Sequence, residues 1–190
     1  MAETTRMINN ILSIQDYENK SHISESQLVN EYRNIVYRFC LSLSFRREDA
    51  DDLFQDTYLK AFSEIEKIRI SKNPQSFLLS IATSLWKSNK RKYARRNRLA
   101  PMIELDETYF STMADMEDDI IASEEVFLVR ELVNCLPDKL KIPVVMYYTI
   151  EMSISEIAGT LKIPIGTVKS HLSRAREIIR KGLENEYGNQ

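Results

Sequence analysis

Basic side chains are concentrated in the segment IPIGTVKSHLSRAR, residues 163–176. Lys, His and Arg alternate there with apolar residues at helical spacing, although the whole chain has 26 basic and 28 acidic residues and a formal net charge of −2. Ammonium and guanidinium groups donate hydrogen bonds to guanine O6 and N7 and to phosphates. The segment therefore predicts a nucleic-acid contact, and its Pro and Gly are typical of a helix that begins at a turn.

The surrounding sequence, SISEIAGTLKIPIGTVKSHLSRAREIIRK, predicts two helices joined by a tight turn. Five residues of the second helix share one narrow apolar arc: Ile165, Val168, Leu172, Ala175 and Ile179. The opposite face supplies the candidate DNA contacts, which are Gly166, Thr167, Lys169, Ser170, Ser173, Arg174 and Arg176. This pattern predicts a helix-turn-helix whose second helix enters the major groove. His171, at the edge of the core, is interpreted as a packed or phosphate-touching residue and not as a metal ligand.

A second basic helix is predicted from about residue 75 to 98, in SFLLSIATSLWKSNKRKYARRNRL. Lys87, Arg91 and Arg95 recur at steps of four, so they can follow a phosphate backbone. Lys90 adds to the same positive charge. Trp86 and Tyr93 are set among these cations and are candidates for stacking on exposed bases, although Trp86 fits equally well as part of the core.

Acidic residues occupy two other places. Residues 104–125 carry nine Asp and Glu without a Lys or Arg, which indicates an acidic flexible linker between two domains. Its acidic residues, Asp115 among them, are hypothesised to lie near the basic faces or in a nucleic-acid channel of a partner. A helix is predicted over 48–68, and most of the segment REDADDLFQDTYLKAF lies in it. In this helix Asp52, Gln55 and Asp56 form a polar stripe opposite Leu53.

The predicted fold class is all-α, with two small helical domains of which the second contains the helix-turn-helix. Apolar residues recur at three- and four-residue steps, and the whole chain has only four glycines. A first helix over 28–43 is preceded by a capping box between Ser24 and Gln27. The second domain is predicted to open with a helix that ends near Pro137, followed by another over 144–150.

The segment LPDKLKIPVVMYYTIEMSISEIAGTLKIPIGTVKSHLSRAREIIRKGL resembles the promoter-binding domain of the extracytoplasmic function (ECF) class of bacterial RNA polymerase sigma factors. REDADDLFQDTYLKAF and the basic helix after it resemble the N-terminal domain of that family. The resemblance covers residues 28–183. It implies an N-terminal extension at 1–24, a region 2 domain at 25–100, the acidic linker at 101–122 and a region 4 domain at 123–187.

The resemblance also implies functions for these residues. Asp52, Gln55 and Asp56 would contact core RNA polymerase, which binds through its beta and beta-prime subunits. The basic helix would melt the −10 element and hold one strand, and the helix-turn-helix would read the −35 element. Ser84 stands where the family commonly has Asn, which bears on base choice, and Lys162 where it often has Gly. An anti-sigma factor, often membrane-anchored, is a further implied partner.

Other classes of protein fit the sequence less well. A response-regulator-like transcription factor shares GTVKSHLS but has no use for the basic melting helix. An enzyme is disfavoured because the chain has no phosphate loop, His cluster or Ser/His/Asp arrangement, and no cofactor, metal or small-molecule substrate is expected. The sequence lacks a signal or membrane-spanning pattern, so a cytoplasmic location is expected. Cys40 and Cys135 form no CxxC pair and are predicted to be buried, reduced thiols.

Overall fold

The computed structural model describes residues 24–44, 46–69, 71, 73–99 and 124–187. Every regular element in these ranges is a helix, which confirms the predicted all-α class with its two helical domains. The N-terminal extension apart from Ser24, and the acidic linker with Asp115, lie outside the described residues.

The first domain consists of four helices: α1 (Glu25–Leu43), α2 (Arg47–Ser63), α3 (Ile65–Arg69) and α4 (Pro74–Leu99). α1, α2 and α4 pack against one another around a core that contains Phe39 and Leu78. The predicted capping box is present, because the Gln27 amide donates to the Ser24 side chain and the Ser24 amide donates to Gln27 Oε1 at 2.9 Å. These bonds satisfy two amides that a helix N-terminus otherwise leaves unpaired.

The helix predicted over 48–68 is broken at Glu64. Its φ of −120° and ψ of 22° end α2, and α3 begins one residue later. The Glu64 carboxylate lies 2.7 Å from Lys60 Nζ and 3.0 Å from Lys67 Nζ, so it is paired with cations on both sides of the break. The short helix α3 packs against α2 and α4, and its Ile68 is completely buried.

The second domain contains α5 (Glu124–Asn134), α6 (Asp138–Val144), a π-helical turn (Val145–Thr149), α7 (Ile154–Leu161) and α8 (Ile165–Tyr187). The helix predicted over 144–150 thus begins earlier, at Asp138, and contains Pro143. α8 packs against α5, α6 and α7. A Cβ at Gly182 would lie only 2.4 Å from Leu132 Cδ2, so the absent side chain permits the close approach of α5 to α8.

Two predictions about burial are wrong. Cys135 is exposed, because it lies in the turn after α5 and not on a packed helical face. Cys40 is buried as predicted, and burial raises the pKa of its thiol to about 12. Ile165, predicted to face inward, is 49% exposed because it is the first residue of α8.

The two domains touch each other directly. α1 packs against the π-helical turn, and α4 packs against α7. Arg38 Nη2 donates a hydrogen bond to the Thr149 carbonyl oxygen at 3.0 Å across this contact. None of the described helices combines the length and apolar character needed to cross a bilayer.

Candidate nucleic-acid and protein interfaces

The exposed face of α8 carries the residues predicted to contact DNA. Val168, Leu172 and Ala175 are buried and turn the opposite side of the helix outward. Thr167 is half-buried, and the other predicted contacts are exposed: Gly166, Lys169, Ser170, Ser173, Arg174 and Arg176. A Cβ at Gly166 would meet no atom within 4 Å, so the backbone at the start of α8 is open to a close approach. The structure therefore brings the predicted residues together on one surface.

The turn between α7 and α8 sets the position of this surface. Lys162 has φ 54° and ψ 45°, the left-handed conformation that glycine adopts more easily. It ends α7, and the Ile163 amide then donates to the Ala158 carbonyl at 3.1 Å. Pro164 precedes α8, and its carbonyl accepts from the Thr167 amide at 2.9 Å. The sequence predicted Pro164 in the first turn of this helix. In the structure it stands one residue before Ile165, the first helical residue.

The start of α7 is fixed by a second capping box. The Ser153 amide donates to Glu156 Oε2 at 2.9 Å, and the Glu156 amide donates to Ser153 Oγ at 3.3 Å. Hydrogen bonds from the Ser153 side chain and amide lower the pKa of the Glu156 carboxyl. The box thereby fixes the residue at which the first helix of the helix-turn-helix begins.

His171 lies half-buried beside the exposed face of α8 that is predicted to contact DNA. Partial burial, followed by the charges of Lys139 and Arg174, lowers the pKa of its imidazole. Within the part of the chain that the structure describes, no three His, Cys, Asp or Glu side chains form a metal-binding group. The position of His171 at the edge of the core agrees with its interpretation as a packed residue.

The predicted contacts on α4 divide into two faces. With about 100° per residue, Ser84, Lys87, Arg91 and Arg95 lie along one exposed stripe. Trp86, Lys90 and Tyr93 lie on a different side of the helix. Tyr93 is 58% exposed, whereas Trp86 is half-buried. The structure thus brings together Lys87, Arg91 and Arg95, the cations predicted to follow a phosphate backbone, and places Lys90 and the two aromatic candidates on another side.

Trp86 faces the second domain. Lys90 Nζ lies 5.1 Å from the centroid of the Trp86 ring, and Lys141 Nζ of α6 lies 5.8 Å from it. Lys90 also forms an ion pair with Asp138, the first residue of α6. Sequence reasoning assigned no role to Lys141 or Asp138, because their neighbours in space come from the other domain.

The polar stripe on α2 is exposed as predicted. Asp52, Gln55 and Asp56 point to solvent, while Leu53 is buried beneath them. The adjacent Asp51 differs, because its Oδ1 accepts a hydrogen bond from the Tyr37 hydroxyl at 2.7 Å. The helix therefore exposes the carboxylates of Asp52 and Asp56 to solvent and uses that of Asp51 in a hydrogen bond within the domain.

Leu59 was missed by sequence reasoning. It is 66% exposed, and the helical repeat places it between Gln55 and Asp56 on the same stripe. Single exposed apolar side chains are common on protein surfaces, so Leu59 is of interest because it lies on the stripe predicted to bind a partner. A helical wheel identifies Leu59 from the sequence, because it places this residue opposite Thr57 and Ala61, which are buried.

Comparisons with known proteins agree with this architecture. Residues 28–96 match the family model for sigma-70 region 2, and residues 127–179 match that for sigma-70 region 4; together they cover more than half of the chain. The ECF RNA polymerase sigma factor SigW of Bacillus subtilis is 29% identical over 166 residues, 84% of this chain and 89% of that protein. The ECF RNA polymerase sigma-E factor of Haemophilus influenzae is 27% identical over 163 residues, 83% and 86% of the two chains.

Two solved structures share the fold. The sigma factor RpoE in complex with the anti-sigma factor NepR from Bartonella quintana has a TM-score of 0.69 and 23% identity, over 84% of this chain and 96% of that one. CnrH in complex with the cytosolic domain of CnrY has a TM-score of 0.59 and 19% identity, over 85% and 88%.

A region 2 domain followed by a region 4 domain defines an RNA polymerase sigma factor, which is a DNA-binding transcription initiation factor. The chain belongs to the sigma-70 family and, within it, to the ECF class. The match over residues 28–96 favours this class over a response-regulator-like factor, which accounts only for the helix-turn-helix.

Proposed function

We propose that this sigma factor binds core RNA polymerase through α2, captures a melted −10 strand along α4 and reads the −35 element with α8. The observation that carries the proposal is the presence of three separate exposed faces on one chain, one acidic and two basic. Neither basic face needs to bind DNA tightly by itself, since linkage of two modules raises the effective concentration of the second contact. The domain boundaries proposed from the sequence, 25–100 and 123–187, assign one basic face to each domain.

The DNA contacts follow from the geometry of the two basic helices. Arg174 and Lys169 project from the exposed face of α8, where they can donate to base edges or phosphates. On α4 the stripe containing Lys87, Arg91 and Arg95 suits the backbone of a single strand. Trp86 and Tyr93, on the other side of α4, are proposed to stack on unpaired bases.

The polymerase contact is proposed to centre on Leu59. Asp52, Gln55 and Asp56 surround it with acceptors and a carboxamide, and an apolar centre with a polar rim is the usual anatomy of a protein interface. Asp51 is not part of this face, because its carboxylate is engaged by Tyr37.

Transcription with purified components tests the proposal. The chain is added to core RNA polymerase with fragments of its own genome, and transcripts that start at defined positions are expected. Binding to duplex DNA without any support of initiation would contradict the sigma-factor function and favour a regulator that acts on its own.

A charge reversal tests the docking face in the same assay. We expect Asp56→Lys to weaken polymerase binding at least about tenfold, because it reverses a charge at the interface. Glu186→Lys, an equal reversal at an exposed site near the end of α8, is the matched control and should bind as the wild type does. Equal binding by both variants would place the polymerase contact elsewhere.

The remaining properties are proposed from the relatives. RpoE and CnrH were solved with the partners NepR and CnrY, the first of which is an anti-sigma factor. We propose an anti-sigma factor for this chain as well, a cytoplasmic place of action, and a role in initiation without a catalytic activity of its own. Pull-down of the tagged chain from its own cells, followed by mass spectrometry, tests for such a partner.

A further inference from the structure

His171 lies where the core of region 4 meets the exposed face of α8. Its Nδ1 atom is buried and has no hydrogen-bond partner within the described part of the chain. The imidazole as a whole is only half-buried, so Nε2 is the ring nitrogen that a ligand can reach. The flanking residues show the same boundary, because Ser170 is exposed and Leu172 is buried.

The environment of His171 favours the neutral imidazole. Partial burial, followed by the charges of Lys139 from α6 and Arg174 from α8, lowers its pKa from the ordinary value of 6.5. Protonation would also place an N–H at Nδ1, where the described residues offer no acceptor. A neutral imidazole carries one proton, and a buried nitrogen without an acceptor is better left bare, so the proton lies on Nε2. The accessible edge of the ring is therefore a hydrogen-bond donor at neutral pH.

Lys139 and Arg174 add positive charge near this donor. α6 packs against α8, and the charge of the Lys139 ammonium acts on the His171 ring across that contact. Both cations are exposed, and neither has a carboxylate within ion-pair distance in the ranges that the structure describes. Asp138, the neighbour of Lys139 in the sequence, pairs with Lys90 instead. Like charges without a counterion repel one another, and an anion that binds between them removes the repulsion.

From this arrangement we infer that the Lys139 ammonium and the Nε2 proton of His171 together bind one DNA phosphate beside the bases that α8 reads. The ligand must carry a countercharge and accept a hydrogen bond, and a DNA phosphate does both. The contact extends the DNA-binding surface from α8 onto α6 and fixes the position from which Arg174 reaches the base edges. This inference rests on the proposed function of α8 as the helix that binds duplex DNA.

His171→Phe separates a phosphate contact from a packing role. Phe keeps an aromatic ring and removes both nitrogens, and the nitrogen that is lost from the core had no partner. We therefore expect the midpoint of urea denaturation to stay equal or rise, while the affinity for duplex DNA falls about three- to tenfold. A residue that only packs would leave the affinity unchanged.

Lys139→Ala tests the ionic part of the site. The affinity should fall by a similar factor, and the slope of log affinity against log salt should decrease by about 1, since one cation fewer displaces counterions. His171→Phe should leave that slope unchanged, because its donor is neutral. Lys181→Ala is the matched control. It removes an equal charge from α8, where the ammonium is paired with Glu177 at 2.9 Å, and it should bind as the wild type does.

Fluorescence anisotropy of the full chain with a labelled duplex of mixed sequence, over a series of salt concentrations, measures these effects, because a phosphate contact needs no particular sequence. Wild-type affinity in either His171→Phe or Lys139→Ala would overturn the site and leave the proposed function of α8 intact. A wild-type chain that fails to bind the duplex at low salt would contradict that proposed function as well.

The pH dependence of the same binding tests the proton on Nε2. Between about pH 7 and 8 the affinity of the wild type should vary no more than that of His171→Phe, because the imidazole is neutral throughout. A rise in affinity toward lower pH that His171→Phe abolishes would show an imidazolium and overturn the neutral donor.

Discussion

At the scale of single residues, chemically similar side chains have different environments. Asp51 and Asp52 are neighbours in the sequence, yet Asp51 accepts a hydrogen bond from Tyr37 while Asp52 points to solvent. Lys141 and Lys139 lie two positions apart on α6, and only Lys141 is buried. Its burial, together with the nearby charge of Lys90, lowers the pKa of the ammonium to about 8. Residue type therefore limits the possible functions, and location selects one of them.

Arg174 and Arg95 should differ in their effect on DNA binding. Arg174→Ala is expected to cost about 1–3 kcal/mol at the preferred −35 sequence and to relax the preference for one base pair. Arg95→Ala should weaken binding to all sequences alike and reduce the slope of log affinity against log salt by about 1. Fluorescence anisotropy with holoenzyme, over a set of single-base variants and salt concentrations, measures both effects. A uniform loss for Arg174→Ala would show that this residue contacts a phosphate and not a base.

The left-handed residue Lys162 should be replaceable by glycine with a gain in stability. Lys162→Gly is expected to raise the free energy of unfolding by about 1 kcal/mol, because a Cβ is disfavoured at φ 54°. Lys162→Ala keeps the Cβ and should leave stability nearly unchanged. Urea denaturation followed by circular dichroism compares the two. A gain for alanine as large as that for glycine would mean that the lysine side chain, and not the backbone conformation, is unfavourable.

At the scale of secondary structure, the two domains use the same device to begin a helix. α1 and α7 both start with a Ser whose side chain and amide pair with the third residue of the helix. That third residue is neutral Gln27 in α1 and ionisable Glu156 in α7. α4 shows a second property of this scale, because one helix presents basic side chains on one face and Trp86 on another.

The two capping boxes should respond differently to pH. Ser24→Ala and Ser153→Ala should each reduce the free energy of unfolding by about 1 kcal/mol at neutral pH. The folded state lowers the pKa of Glu156, so the stability from its charged form is present above the ordinary value of 4.5 and is lost as pH falls through the lowered pKa. The cost of Ser153→Ala should therefore shrink in acid.

Thermal unfolding across this pH range measures the difference between the two boxes. The cost of Ser24→Ala should stay constant, since Gln27 does not titrate. A Ser153→Ala cost that is equally constant would mean that the Glu156 carboxylate contributes nothing to the cap.

At the scale of the whole molecule, contact between the two domains couples the protonation of Lys141 to the separation of the domains. The pKa of Lys141 is about 8 when the two domains are packed together, which is the closed form, and its ordinary value of 10.5 applies when they are apart, which is the open form. The open form thus binds more protons between these values. Closing should become more favourable as pH rises from about 8 to 10.5, by at most about tenfold per pH unit, and should be independent of pH below that window.

X-ray scattering of the free protein measures this dependence as a decrease in the radius of gyration with rising pH. Lys90, Asp138 and Cys135 also face Lys141 electrostatically, so the control must remove the Lys141 charge alone. Lys141→Met does so with a side chain of similar length, and its radius should not vary with pH through this mechanism. The same pH dependence in Lys141→Met would assign the effect to another group.

The sequence by itself determined the helical class, the two helical domains, the exposed basic face of α8 and the stripe of Lys87, Arg91 and Arg95 on α4, because helical periodicity and capping residues are local properties. It predicted Ser24 and Gln27 as a cap, which depends on neighbours within a few positions, and the family resemblance singled out Lys162 as a position where glycine is common. It did not predict the break at Glu64, the exposure of Cys135 or the burial of Lys141. Those outcomes depend on how elements far apart in the chain meet, and only the tertiary structure decided them. The contact of Lys141 with Leu43 joins residues 98 positions apart, which no local pattern can specify.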